Sequence, residues 1–268
     1  MADSDAEACV EPIIVRELRK HREFDQALDI FQRIWSFEPG TEPVSAEVML
    51  SFAHFGNYVS GAFAGTRMVG ASVGFRCAPE FGGFVSHMTG ALQGTGAGTA
   101  LKRHQREWAL RQGLDRIIWT FDPLVRRNAY FNLVKLGARA TSYMPDFYGG
   151  MADGINAGDE SDRIFATWDL SCPEAVAAAR GEPMSVFVAP DTEAALVSRD
   201  GWPERRETDA AMVLVQTPED IEALRASDPL QAAAWRKELR ETLGALMADG
   251  AVVLGFHGRS SYVVDRRT

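Results

Sequence analysis

The sequence predicts an α/β fold in which a mixed β-sheet is flanked by helices. Two segments with helical periodicity precede a run of three strand-like segments. A glycine-rich turn separates this run from a third amphipathic helix. Beyond that helix, strand-like and helical segments alternate, which is typical of α/β architecture.

The first elements follow from composition and apolar spacing. The acidic stretch 1–11 is predicted to be a disordered tail, and the apolar stretch 13–18 to be a strand. From Phe24 to Trp35 the apolar residues recur with the spacing of an amphipathic helix. A loop rich in proline and glycine follows, and Ser45 is a plausible N-cap for a second helix that reaches about residue 52.

The middle of the chain has the periodicity of strands and then of alternating elements. Gly113 and Gly137 are expected to end two helices, because glycine adopts the left-handed conformation found after many helix C-termini. The predicted strands are 58–63, 68–75, 84–91, 116–121 and 163–170, and the predicted helices are 97–108 and 128–136.

A second, smaller unit is expected after Cys172 and Pro173, which gives an N-terminal domain at 12–170 and a C-terminal βα module at 171–268. Pro218 is expected to open a short helix, since proline suits the first helical turn. The other predicted elements are strands at 184–188 and 211–215, a long helix at 230–248, and a hairpin formed by 251–256 and 262–264.

Composition excludes several classes of protein. A net charge of −9 argues against a nucleic-acid binder, which needs an excess of Lys and Arg. Three cysteines without metal-ligand spacing, Cys9, Cys77 and Cys172, argue against a zinc site and a disulfide framework, so no metal is expected. No signal peptide and no apolar run of about 18 residues is recognisable, and we expect a cytoplasmic protein without a membrane partner.

The segment Gln93-Gly94-Thr95-Gly96-Ala97-Gly98 carries the clearest chemical signal. A glycine-rich turn between a strand and a helix lets backbone N–H groups converge on an anion, and the helix dipole adds positive potential there. Lys102 or Arg103 could meet a further phosphate. Alternatively, the glycines only permit a tight strand–helix turn.

Two nucleotide-binding interpretations fit this turn poorly. A P-loop ends in Gly-Lys-Ser/Thr, whereas Gly98 is followed by Thr99 and Ala100. A dinucleotide fold carries its glycine motif in the first βα turn, with an acidic residue at the end of the next strand. Asp122 could serve as that acidic residue, but several predicted strands precede the glycine motif.

A resemblance to a known family covers far more of the chain. Gln93, Gly96 and Gly98 match the motif with which GNAT acyltransferases bind the pyrophosphate of acyl-CoA. The sequence also resembles an uncharacterised subgroup of the GNAT superfamily over nearly its whole length. The matching segments are 86–88, 101–102, 105–110, 119–124, 127–132, 136–138, 148–149, 153–158, 161–163, 233–236 and 240–241.

The resemblance implies a fold and a reaction. It implies that the strands at 84–91 and 116–121 are the central pair of the sheet and splay apart around the pantetheine arm of acetyl-CoA or another acyl-CoA. It also implies that an amine attacks the thioester directly, which requires a base, an oxyanion donor and an acid for the thiolate. The backbone N–H of Gly90 or Ala91 would be the oxyanion donor.

The chain departs from the family pattern at two places. Between Ala91 and Gly94 the loop is about three residues shorter than usual and lacks the basic residues often found there. The tyrosine that often protonates the thiolate corresponds to Leu133, which cannot donate a proton. Either a neighbouring tyrosine replaces it or the thiolate leaves unassisted; the candidates are Tyr130, Tyr143 and Tyr148.

Three further residues have both a functional and a structural interpretation. His87 lies where many GNAT enzymes have a carboxylate, and it is either the general base or a histidine bonded to a backbone carbonyl. Asp122 either orients a cationic amine or is a turn residue before Pro123. Asn128 either bonds the pantetheine amides or caps a helix.

The first functional hypothesis is therefore an N-acyltransferase, either an N-acetyltransferase or an N-succinyltransferase, that acts on a small amine or amino acid. The second is a non-catalytic acyl-CoA-binding or interaction protein on a decayed GNAT scaffold. A homodimer is possible, with the C-terminal module either at the dimer interface or beside the acceptor pocket. Protein acetylation has no sequence feature in its favour.

Overall fold

The computed structural model describes residues 11–38, 40–150, 154 and 158–267. The described residues form two compact units. The first comprises the residues up to Ile34, Glu42–Phe75 and Ser86–Trp108, and the second comprises Trp35–Thr41, Arg76–Val85 and the residues from Ala109 onward. Residues 1–10 of the predicted tail lie outside the described residues, and the domain boundary near residue 170 stays a prediction.

The first unit contains four neighbouring strands. They lie in the order β1 (Ile13–Glu17), β2 (Tyr58–Ala64), β3 (Arg67–Arg76) and β4 (Phe84–Ala91). The pairs β1–β2 and β2–β3 are antiparallel. The turn between β2 and β3 lies at Gly65, whose φ of 55° is easily adopted by glycine.

The helices of this part of the chain are α1 (His21–Trp35), α2 (Ala46–His54) and α3 (Ala97–Arg111). Ser45 caps α2 as predicted, since its hydroxyl accepts a hydrogen bond from Val48 N. Ala97 and Leu101 place α3 against the sheet, where they are fully buried in an apolar cluster with Ala62 and Val69. The start of α3 is thereby fixed to the strands beside it.

The sheet of the second unit starts with the first two residues of β4, which belong to this unit. Phe84 and Val85 pair in parallel with Ile117 and Ile118 of β5 (Arg116–Phe121). Antiparallel pairs then join β5 to β7 (Arg163–Asp169), and β7 to β6 (Arg139–Met144). Between β5 and β6 the chain forms α4 (Arg126–Ala129), which continues as a π-helix over Tyr130–Lys135.

A five-stranded sheet completes the second unit, in the order β11-β12-β10-β8-β9. It is also mixed, because β8 runs parallel to β10 whereas the other pairs are antiparallel. Its strands are β8 (Ala194–Arg199), β9 (Trp202–Arg205), β10 (Met212–Gln216), β11 (Val252–His257) and β12 (Ser261–Asp265). Its helices are α5 (Pro173–Ala179), α6 (Ile221–Ser227), α7 (Pro229–Leu239) and α8 (Ala245–Ala248), with a π-helix at Arg240–Gly244.

The predicted α/β class, with mixed sheets flanked by helices, is confirmed. Two local predictions are wrong. The stretch 184–188 forms no strand; among the described residues its backbone bonds to another element from Met184 N to Val134 O, and a single bond is not a ladder. The helix expected at Pro218 begins at Ile221, since the Asp220 carboxylate accepts the N–H groups of its first turn.

Candidate active site

The turn after β4 is exposed and is held by its own side chain. Thr95 Oγ1 donates to Leu92 O over 2.7 Å and accepts from Ala97 N over 3.3 Å. Gly94 and Gly96 have φ angles of 76° and 74°. Among the described residues, no heavy atom lies within 4 Å of the place where either glycine would carry a Cβ. The turn therefore has open space in front of its backbone.

The turn leads directly into α3, whose first amides point toward its N-terminus. Ala97 is the first helical residue, and the N–H groups of the first turn have no acceptor within a helix. Gln93 and Gly96 are exposed, while Gly98 is half-buried. The six residues of the predicted pyrophosphate motif thus surround an accessible helix N-terminus, where the dipole favours an anion.

The end of β4 packs closely on β3. A Cβ placed on Gly70 would lie 3.0 Å from Gly90 O and 3.1 Å from Ala91 Cβ and Leu101 Cδ1. Glycine at position 70 therefore permits the close approach of β3 to the strand end that carries the two predicted oxyanion donors. The sequence analysis did not single out Gly70.

His87 lies in the middle of β4 and is half-buried. Its imidazole has a hydrogen bond with the backbone of Pro43, and its ring centroid lies 5.8 Å from that of Phe75. Burial lowers the pKa of His87 below its ordinary value, partly offset by the bond to Pro43. A neutral imidazole that donates one N–H to a carbonyl retains a lone pair on its other nitrogen. The bond to a backbone carbonyl is therefore compatible with a base.

Behind β4, five side chains from β3, β4 and α3 form a closed cycle of hydrogen bonds, here called the polar cycle. Lys102 Nζ lies 2.8 Å from Ser86 Oγ and 3.1 Å from Gln105 Oε1. Gln105 Nε2 lies 3.2 Å from Ser72 Oγ. Thr89 Oγ1 closes the cycle, 2.7 Å from Ser72 Oγ and 3.3 Å from Ser86 Oγ.

Lys102 is only 4% exposed, and this burial lowers its pKa to about 7. Lys102 or Arg103 was predicted to meet a further phosphate; the amine of Lys102 lies in the polar cycle, and its contact with a phosphate stays a prediction. The amine of Lys102 is bonded to Ser86 and Gln105. Arg103, the alternative partner for a phosphate, is exposed.

In the second unit, Asp122 belongs to a buried group of four charged residues, here called the ion cluster. Asp122 Oδ2 lies 2.6 Å from Arg225 Nη2 and 2.9 Å from Arg236 Nη2. The same two arginines bind Asp159 Oδ2 over 2.8 and 3.0 Å. Asp122 Oδ1 also accepts from Leu124 N, which forms a turn at the end of β5.

These contacts determine the direction in which the pKa of Asp122 shifts. Arg236 and Arg225 outweigh the effect of burial and lower the pKa of Asp122 well below its ordinary value. Both carboxylate oxygens are bonded to guanidinium or amide groups. The contacts therefore support the turn interpretation of Asp122, and they add an ion cluster that the sequence analysis did not find.

The three candidate tyrosines have different surroundings. Tyr143 donates its hydroxyl to Asp162, and burial together with that carboxylate raises the pKa of Tyr143. The ring of Tyr130 lies 4.8 Å from the guanidinium carbon of Arg259. Tyr148 is exposed, and its hydroxyl lies 3.0 Å from Thr120 Oγ1 on β5.

Asn128 lies within α4 and is half-buried. The N-cap of that helix is Val125, which makes no side-chain capping bond. Asn128 therefore does not cap the helix, which removes the structural interpretation of this residue. Its contact with a pantetheine chain stays a prediction.

Among the described residues, no group of three or more His, Cys, Asp or Glu side chains is arranged to hold a metal ion. Within the same part of the chain, every helix is too short or too polar to cross a bilayer.

Comparison with solved structures gives similarities to acetyltransferases over about 60% of this chain. The ribosomal-protein-S18-alanine N-acetyltransferase from Escherichia coli has 14% identity and a TM-score of 0.45, covering 60% of this chain and 96% of that chain. A GNAT-family acetyltransferase from Streptococcus pneumoniae has 14% identity and a TM-score of 0.46, covering 58% and 98%. An N-acetyltransferase from Staphylococcus aureus Mu50 has 11% identity and a TM-score of 0.46, covering 60% and 99%.

The sequence matches no family model and no curated protein.

The polar cycle was also not predicted from the sequence. A weak signal was present, because Gln105 follows Leu101 by four residues and so falls on the buried face of α3. Lys102 precedes Gln105 by three residues, which places both side chains on neighbouring positions of one helix face. Polar residues on a buried face must find partners inside the protein.

Proposed function

We propose that the chain is an acyl-CoA-dependent N-acyltransferase that transfers an acyl group to a small amine or an amino acid. One observation carries the proposal: the exposed glycine turn from Gln93 to Gly98 opens α3 directly after the strand that bears His87. The sequence resemblance to the GNAT superfamily supports it independently.

The glycine turn suits the diphosphate of CoA. Gly94 and Gly96 present backbone without side chains to open space, and the first-turn amides of α3 supply donors. Oriented amides and a helix dipole bind phosphates without any cationic side chain. Arg103, exposed one turn into the helix, is the nearest candidate for an additional phosphate contact.

His87 is proposed as the general base. Its hydrogen bond with Pro43 fixes the orientation of the imidazole, and burial keeps it neutral near pH 7. It would take a proton from the amine as the amine nitrogen attacks the thioester carbonyl carbon. The N–H of Gly90 or Ala91 would donate to the oxyanion, and the carbon–sulfur bond then breaks to release the thiolate of CoA.

Tyr148 is the proposed acid for the departing thiolate. It is exposed, and its hydroxyl is bonded to Thr120 on β5. Tyr143 is less suited, because its proton is bonded to Asp162 and its pKa is raised. We do not propose that Asp122 orients the amine, since Arg225 and Arg236 occupy its carboxylate.

A specific observation favours a second candidate, a protein that binds acyl-CoA without turnover. The loop before the glycine turn lacks the usual basic residues, and the amine of Lys102 is directed into the polar cycle. Both features reduce the positive charge offered to a diphosphate. The proposal covers both an acetyl and a succinyl group, and an assay decides between them.

The test combines calorimetry with CoA and a thiol-release assay against a panel of amines and amino acids. His87→Ala is expected to lower kcat at least about 100-fold, the usual contribution of a general base, with CoA affinity retained. His54→Ala, on an exposed histidine, is the matched control.

The outcomes separate the candidates. An unchanged rate in His87→Ala would remove the base assignment. CoA binding without thiol release from any amine would favour the non-catalytic candidate, and absence of CoA binding would contradict both candidates.

A further inference from the structure

The polar cycle holds β4 on both sides of His87. Ser86 directly precedes His87, and Thr89 follows it by two residues. Their hydroxyls lie 3.3 Å apart and are bonded to Lys102 on α3 and Ser72 on β3. The cycle therefore connects three elements around the backbone segment that carries the proposed base.

A neutral Lys102 balances the donors and acceptors of the cycle. A neutral amine donates to Gln105 Oε1, and Gln105 Nε2 donates to Ser72. The hydroxyl hydrogens then point in one direction, from Ser72 to Thr89, from Thr89 to Ser86, and from Ser86 to the lone pair on Lys102 Nζ. Every member donates one bond within the cycle and accepts one.

A protonated Lys102 cannot close the same cycle, because an ammonium group has no lone pair. It would donate to both Ser86 and Gln105, and Gln105 donates to Ser72. The hydroxyls of Ser72, Thr89 and Ser86 share only two contacts, so one of their three hydrogens would have no acceptor within the cycle. Buried polar hydrogens without an acceptor are costly, so protonation disturbs the contacts around β4.

Carboxylates are scarce on the four elements that surround the polar cycle. The ionisable residues on β2, β3, β4 and α3, other than Lys102 itself, are Tyr58, Arg67, Arg76, His87, Arg103, His104, Arg106, Glu107 and Arg111. Glu107 is the one carboxylate on these four elements; it is exposed, and it lies five residues from Lys102 along the helix. Residues five apart are not on neighbouring positions of a helix face.

We propose that Lys102 is a positioning residue whose neutral amine closes the polar cycle and holds β4 in the geometry that His87 and the oxyanion donors require. The catalytic part of this inference rests on the proposed function. The protonation state of Lys102 and its effect on β4 do not. The balance of donors and acceptors in the cycle, the burial of the amine and its lowered pKa all agree with a neutral lysine.

The protonation state can be measured directly, because the chain has only four lysines: Lys20, Lys102, Lys135 and Lys237. With ¹³C-labelled lysine, the Cε signals of the intact protein are followed by NMR over pH 5–11. One signal is expected to titrate near pH 7 and to be absent in Lys102→Met. The proposal is overturned if the signal lost in Lys102→Met titrates in the range of an ordinary lysine, about pH 10.

The effect on β4 is measured at His87 by imidazole NMR, with the signal assigned by His87→Asn. In the wild type, the His87 shift is expected to show a second inflection near pH 7, where Lys102 titrates. This inflection should vanish in Lys102→Met and persist in Arg103→Met, the control at the exposed neighbouring position. A His87 titration that is identical in the wild type and Lys102→Met would overturn the proposal.

A second pair of variants tests the cycle without removing the lysine. Ser86→Ala deletes the hydroxyl beside His87, whereas Ser86→Thr retains one. We expect Ser86→Ala to lower kcat about 10-fold with little change in KM for acyl-CoA, because misplaced catalytic groups reduce the rate, and Ser86→Thr to restore most of it. Equal kcat in Ser86→Ala and the wild type would contradict the positioning role. If the wild type itself releases no thiol, the proposed function fails, and the two NMR titrations still decide the inference.

Discussion

Lys102 in the first unit and Asp122 in the second are both almost fully buried, but their surroundings differ. In the polar cycle, Lys102 contacts hydroxyl and amide groups, which are neutral. In the ion cluster, Asp122 contacts the guanidinium groups of Arg225 and Arg236. Burial lowers the pKa of Lys102 to about 7, whereas the arginines lower the pKa of Asp122 despite its burial.

The difference shows two ways in which a protein can bury an ionisable group. Desolvation always disfavours the charged form. It lowers the pKa of Lys102 to about 7, close to physiological pH. Asp122 keeps its charge, because the attraction of two arginines exceeds the desolvation cost, so the ion cluster is a structural element and not a switch.

The largest expected effect is on the ion cluster. Asp122→Asn removes one buried carboxylate from Arg225 and Arg236, and we expect the free energy of unfolding to fall by about 3–5 kcal/mol. Urea denaturation followed by circular dichroism measures this change. Asp115→Asn, at an exposed carboxylate, is the control and should change stability by less than about 0.5 kcal/mol.

A fall of less than about 1 kcal/mol in the free energy of unfolding of Asp122→Asn would contradict the comparison. The stability of the ion cluster would then not depend on the charge of Asp122. The pH dependence gives an independent check. The pKa of Asp122 is lower in the folded than in the unfolded protein, so the stability it contributes is present above about pH 4 and is lost as the pH falls.

The second effect is the pH dependence of stability caused by Lys102. Its pKa is about 7 in the folded protein and about 10.4 when unfolded, so between these values the unfolded state binds more protons. Stability is therefore expected to rise with pH in this range, by up to about 1.4 kcal/mol for each pH unit. Urea denaturation of the wild type and Lys102→Met at pH 7.5, 8.5 and 9.5 measures the slope.

The slope of Lys102→Met should be lower than that of the wild type by about this amount, and Arg103→Met should retain the wild-type slope. Parallel stability curves for the wild type and Lys102→Met would show that the buried amine keeps its proton. The contrast with Asp122 would then be lost.

The smallest expected effect concerns an exposed ion pair in the second unit. Arg127 forms a bidentate contact with Glu222, but the side chain of Arg127 is 53% exposed. Water screens such a pair, so Arg127→Gln is expected to cost less than about 1 kcal/mol and to cost less still at high salt. If Arg127→Gln lowered the free energy of unfolding as much as Asp122→Asn does, burial would not distinguish the Arg127–Glu222 pair from the ion cluster.

Elements with regular local patterns were predictable. Strands β2, β3 and β4, the helix after the glycine turn and the C-terminal hairpin follow from apolar periodicity and glycine positions, and all are present. In the stretch 184–188 apolar and polar residues are spaced as in a strand, but the stretch does not pair with a strand. The strand prediction for it was therefore wrong. Strands β8 and β9 were not predicted, although β8 pairs with β10 in parallel.

Within the candidate site, the glycine turn could be predicted because a turn depends on the residues it contains. The surroundings of Lys102 could not, since they depend on Ser72 and Ser86, which lie 30 and 16 residues earlier in the chain. Helical spacing placed Gln105 on the buried face of α3, but it did not show which hydroxyls lie opposite.

The sequence by itself determined the α/β class, the capped helix after Ser45, the glycine turn and the position of His87 on its strand. These depend on interactions between residues close together in the chain, which periodicity and turn chemistry report. Only the tertiary structure decided the protonation of Lys102 and the role of Asp122, whose arginines lie 103 and 114 residues away. A pKa depends on burial and on charges in space, and neither is written in the local sequence.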